Sequence, residues 1–202
     1  QGNVAPGWPK TFGGASTDLA YSVKQTSDSG YIIAGGTYSF GAGGEDVYLI
    51  KTDAQGNVAP GFPKTFGGAG RDWASSVQQT NDGGYIVAGY TSQLGGANYD
   101  VYLTKTDALG KILWWQTFGG TDGDWATSVQ QTADGGYIVA GETSSFGAGG
   151  WDLYLIKLAP DQPSNPCTPN QSIYQESKTQ FTFEANLIGS IIFSVVYNSK
   201  VV

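Results

Sequence analysis

The sequence predicts an all-β chain: three repeated four-stranded units followed by a C-terminal strand or hairpin tail. Three observations predict it. The heptapeptide "GGYIVAG" stands at 83–89 and again at 135–141, with the near copy "SGYIIAG" at 29–35. Of 202 residues, 31 are Gly and 13% are aromatic while only 13% are charged, which suits short strands and tight turns better than helices. Finally, "VYLIK" at 47–51 alternates in the manner of a pleated strand covered on both faces, with Val47, Leu49 and Lys51 opposite Tyr48 and Ile50.

The landmarks recur as a set. "TFGG" at 11–14 returns at 65–68 and 117–120, "SVKQT" at 22–26 becomes "SVQQT" at 76–80 and 128–132, and Asp46, Asp100 and Asp152 head the last strand of each copy. Each unit supplies four strand-like runs: the one ending in TFGG, then SVQQT, YIVAG and VYLIK. "TNDGGY" and "TADGGY" place Asp-Gly between apolar runs, a strong hairpin signal because Gly tolerates positive φ, and "KTDAQGN" predicts a second hairpin. The units run 1–54, 55–106 and 107–158. A period near fifty with four strands per unit is the signature of propeller blades, sheets that must stack face to face to bury both sides.

In these residues, "TFGG…D.A.SVQQT.DGGYIVAG.TSSFGAGG.D.YLIK", the chain resembles the kelch-like β-propeller repeats of exported bacterial and archaeal surface proteins, over residues 1–158. A Gly pair follows the apolar strand only at Gly35 and Gly36, where the other copies have Tyr90 and Glu142, so kelch partner binding is not carried over. The resemblance implies a propeller scaffold with an extracellular or cell-surface role and no fixed activity. The absence of Met, the first position included, carries the same expectation of a processed, exported chain. Closed propellers have four to eight blades, and three leave two sheet faces in need of cover.

Residues 159–171 read as a Pro-rich linker, with four of the eight Pro residues between Pro160 and Pro169. Residues 172–202 read as a strand tail. Phe181, Phe183 and Leu187 share one face, and Ile191, Phe193, Val195 and Tyr197 share a face of the next run. About 30 residues form no independent sheet domain, so these strands dock either on the chain's own blades or, by strand addition, on a neighbouring copy. The second option predicts homo-oligomers or a filament.

Function classes narrow by elimination. Net charge of −7 with 10 Lys and Arg leaves no basic stripe for nucleic acid, and no apolar run is long enough to span a bilayer. Without His, the Ser-His-Asp and Cys-His arrangements and His-ligated zinc are excluded. No cofactor, metal site or catalytic residue is expected. Asp18, Asp72 and Asp124 share one repeat position and Asp46, Asp100 and Asp152 another, the pattern of carboxylates bracing turns by accepting from backbone N–H groups. A carboxylate-based glycan hydrolase or lyase is the weakest reading. Where the repeats differ, Trp73, Trp125, Tyr99 and Trp151 are candidates for stacking on sugar rings, with inter-blade core as the alternative. Asn170 begins a glycosylation acceptor triplet, and the lone Cys167 is a spare thiol or an intermolecular link. The leading expectation is a non-enzymatic, exported structural protein that self-assembles through blade faces and C-terminal strands, with glycan binding as the alternative.

Overall fold

The computed structural model describes residues 2–92 and 98–161; the linker beyond Asp161 and the tail at 172–202, with Cys167, Asn170 and the candidate assembly strands, lie outside them. Eleven strands form three antiparallel sheets, with no helix among the described residues. Sheet 1 is β1 (Asp18–Gln25), β2 (Tyr31–Thr37), β3 (Asp46–Thr52) and β4 (Lys64–Phe66), in that order. Sheet 2 is β5 (Asp72–Gln79), β6 (Tyr85–Thr91), β7 (Asp100–Thr106) and β8 (Ile112–Phe118). Sheet 3 is β9 (Asp124–Gln131), β10 (Tyr137–Thr143) and β11 (Asp152–Leu158).

Two sequence expectations are corrected. The run ending in TFGG opens each sequence unit but closes the preceding sheet: β4 pairs with β3 through Val47↔Phe66, Tyr48↔Thr65 and Leu49↔Lys64, and β8 pairs with β7 in the same frame. The sheets therefore span 18–66, 72–118 and 124–158, offset from the sequence units. Consequently sheet 3 has three strands, not four, among the described residues, and the first TFGG copy is no strand. That segment instead rests on sheet 1. Trp8 sits edge-on to Tyr31 at 6.0 Å, as Phe62 does to Tyr85 at 6.2 Å and Trp114 to Tyr137 at 5.7 Å.

The repeated heptapeptide follows from two close approaches. β1, β5 and β9 each carry a bulge after the third residue, and beside it a main-chain carbonyl lies close to the neighbouring strand. A Cβ on Gly89 would collide with the Trp73 carbonyl, so the last Gly of the motif is needed for space. At the other end, Gly83 has φ of 83° in the hairpin turn, a conformation that Ser29 adopts in the first copy at 66°. Asp82 holds this turn by accepting from Gly84 N (3.0 Å) and Thr80 Oγ1 (2.5 Å).

Packing runs between sheets. Ile32, Val47 and Leu49 of sheet 1 meet Val77, Tyr85 and Tyr102 of sheet 2 in one core; Ile86, Val101 and Leu103 of sheet 2 meet Val129, Tyr137 and Val139 of sheet 3 in another. β5 packs against both β1 and β9, so the first strand of each sheet lines the common inner side. Sheet 2 is covered on both faces, and all seven residues of β7 are buried.

Candidate functional site

The carboxylates that recur in each repeat brace the loops. Asp18, Asp72 and Asp124 accept from Gly14, Gly68 and Gly120 N at 2.8, 2.8 and 2.9 Å, while Asp46 and Asp152 accept from Ala42 and Ala148 N at 2.8 and 3.0 Å. At the sheet junctions the two sets meet. A Cβ on Gly119 would collide with the carboxylates of both Asp100 and Asp124, and one on Gly67 with those of Asp46 and Asp72. Burial pushes Asp100 up to about 6, helped by the charge of Asp124; burial also raises Asp46, with Asp72 adding to it. One oxygen each of Asp72, Asp100 and Asp124 has no hydrogen-bond partner. Asp46, Asp72, Asp100 and Asp124 are between 0 and 2% exposed, whereas Asp18 and Asp152 are partly exposed. Among the described residues no group of three or more His, Cys, Asp or Glu is placed to hold a metal.

The four aromatic candidates come together on one ladder that crosses the sheets. Tyr21 of sheet 1 lies 4.2 Å from Trp73, which stacks on Tyr90 at 6.2 Å and 4°. Tyr90 continues to Trp125 at 6.0 Å, Tyr99 lies 6.3 Å from Trp125, and Trp125 touches Trp151 at 4.7 Å. Trp73, Tyr99 and Trp125 are half-buried, spending their ring faces on one another; Trp151 is 50% exposed. Glu45, Tyr38 and Arg71 also belong to this region. Arg71 Nη2 donates to the Tyr38 hydroxyl (2.9 Å), and contacts with Tyr99 and then Tyr38 raise the guanidinium's pKa further. Burial raises Glu45, whose Oε1 is unpartnered. Glu45 stands at the repeat position of Tyr99 and Trp151, and the Arg71–Tyr38 contact spans 33 residues and carries no periodic signal.

The two outer faces are open. On sheet 1, Leu19 and Val23 of β1 are exposed while β3 is buried throughout, and a hollow of about 410 Å³ lies between Trp8, Phe12, Val23, Tyr31 and Ile33. On sheet 3, Leu153 is 79% and Leu155 60% exposed, beside a hollow of about 450 Å³ lined by Thr127, Gly141, Glu142, Trp151 and Leu153.

Residues 132–161 match a family described as "Domain of unknown function (DUF5122) beta-propeller". That segment runs from the hairpin turn through β10 and β11, and the match supports the propeller-type reading of the sheets; kelch does not enter the family's description. The chain is also similar to "Regulatory protein FlaEY" of Caulobacter vibrioides, at 28% identity over 145 residues. The match covers 61% of this chain and 15% of that protein.

Proposed function

We propose that the chain is a non-enzymatic, exported structural module that associates with further copies of itself through its open blade faces and its C-terminal strands, building a surface fibre or layer. The observation that carries this reading is the pair of uncovered faces, Leu19 and Val23 at one end and Trp151, Leu153 and Leu155 at the other. Sheet faces of this apolar character have low solubility unless another polypeptide covers them. The extracellular setting rests on the resemblance to exported propeller repeats and on the lack of oxidisable Met. Sedimentation of the full chain over a range of concentrations tests self-association: growing assemblies support it, and a monomer throughout ends it.

A second reading, glycan binding, is favoured by the half-exposed Trp151 beside the Glu142-lined hollow. Its Trp face and Glu oxygens are the partners a sugar ring uses. Tryptophan fluorescence titrated with candidate polysaccharides tests it, and a signal indifferent to all of them and to Trp151→Ala removes it.

A further inference from the structure

Both inner junctions share three polar contacts, one repeat apart. Between sheets 1 and 2, Val77 N donates to Ser22 Oγ (3.2 Å), Ser27 N to Gln79 Oε1 (2.8 Å) and Asp72 N to Glu45 O (2.6 Å). Between sheets 2 and 3, Val129 N donates to Ser76 Oγ (3.2 Å), Asn81 N to Gln131 Oε1 (2.9 Å) and Asp124 N to Tyr99 O (2.7 Å). Advancing by one further repeat names the partners of a third junction. On the outer face of sheet 3 these are Ser128 Oγ, Ala133 N and Trp151 O; on the outer face of sheet 1 they are Val23 N, Gln25 Oε1 and Asp18 N. Each donor on one open face thus has its acceptor on the other.

The same arithmetic applies to the strand missing from sheet 3. β4 sets Phe66, Thr65 and Lys64 opposite Val47, Tyr48 and Leu49 of β3; β8 sets Phe118, Thr117 and Gln116 opposite Val101, Tyr102 and Leu103 of β7. On β11 this register requires a Phe opposite Leu153, a Thr opposite Tyr154 and a long polar residue opposite Leu155. Lys10, Thr11 and Phe12 supply that order on the segment that Trp8 already seats against Tyr31 of sheet 1. Leu19, at the position of Trp73 and Trp125, would then enter the hollow beside Trp151 and Glu142.

We propose that a second copy of this chain stacks its sheet 1 on the open face of sheet 3, adding its residues 10–12 as the fourth strand beside β11, and that two copies close on each other into one six-bladed ring. Two copies fall inside the range of four to eight blades that closes; three copies would make nine. Both open faces of each copy are then covered by contacts already used twice within the chain. The inference rests on the self-association proposed above and assigns the blade faces to a closed pair, leaving strand addition by 172–202 to join pairs into a fibre or layer.

The test uses full chains carrying Cys167→Ser, one with Lys10→Cys and another with Leu155→Cys, mixed and mildly oxidised. A disulfide-linked species of twice the 21.2 kDa chain mass should form in the mixture, and should drop sharply when Lys157→Cys, two residues out of register, replaces Leu155→Cys. A chain carrying both Lys10→Cys and Leu155→Cys should give a doubly linked dimer and no ladder. Because Leu155 is exposed in the single copy, Leu155→Glu should leave the circular dichroism unchanged while weakening the pair by about tenfold or more. Assemblies that form without the Lys10–Leu155 link overturn this inference alone and point to cover by residues 172–202 or by another face. A ladder overturns the ring, an unaltered pair in Leu155→Glu overturns the interface, and a full chain that is monomeric at every concentration removes the self-association reading as well.

Discussion

Sheets 2 and 3 are written in nearly the same residues and live in different surroundings. Lys105 and Lys157 occupy one repeat position, each donating from Nζ to the turn Asp of its own sheet and to the carbonyl of the next residue, at 2.8 to 2.9 Å. Yet the Lys105 side chain is 1% exposed and that of Lys157 is 45% exposed. Lys51 in sheet 1, at 8%, resembles Lys105, because sheet 2 covers it. The neighbour decides burial. A Lys in the motif is an interior residue when another blade stands in front of it and a surface residue when none does, with the same hydrogen bonds in both cases.

Substitutions at equivalent positions break or sharpen that contrast. Leu103→Ala, in the core between sheets 2 and 3, should cost about 2–5 kcal/mol in urea unfolding, whereas Leu155→Ala should cost under about 0.5 kcal/mol in the isolated copy. Equal costs would mean that the face of sheet 3 is covered in solution. Lys105→Ala leaves a hollow and strips Thr106 O of its ammonium donor, and should cost about 2–4 kcal/mol; Lys157→Ala should stay within about 1 kcal/mol.

A pH titration examines the junction itself. Asp100, pushed up to about 6 by burial and then by Asp124, holds its proton more tightly in the folded chain than in the unfolded one. The folded state is therefore favoured below the ordinary carboxylate range, and stability falls as pH rises from about 4 to 6, on the order of a few kcal/mol. Asp100→Asn should flatten that slope in unfolding curves recorded at each pH. Asp28 has the opposite sign: its hydrogen bond from Lys51, then that from Thr26, lowers it to about 2, so its contribution is present above about pH 4 and lost as pH falls toward 2. Much of that effect is screened, since the Asp28 side chain is 61% exposed. The smallest effect belongs to the first hairpin turn, where Ser29→Gly relieves a positive φ that the other two copies give to Gly83 and Gly135, a gain of under about 1 kcal/mol in the same unfolding assay.

Much of the architecture was legible. Hairpin turns at Asp82-Gly83 and at Asp53 follow from local chemistry: the Asp side chain accepts from the backbone two residues on, and Gly83 and Gly56 supply the positive φ. The alternation of β3 and the bracing carboxylates were legible for the same reason. The membership of the TFGG strands was not, because a repeating pattern looks the same from any starting point; only the hydrogen bonds of Phe66 to β3 and Phe118 to β7 choose the frame. Of the candidate site, the differing aromatics Trp73, Tyr99, Trp125 and Trp151 were legible as a set. Their stacking on one another was not, since it depends on the distance between sheets.

What the sequence determined by itself is local and periodic: strand runs, turn residues, the number of units, and the absence of His that removes imidazole chemistry. Tertiary structure alone decided which strand closes which sheet and which copy of each Lys and Leu is interior. The physical reason is that turns and pleats are specified by residues a few positions apart, while burial depends on what another sheet places about ten ångströms away.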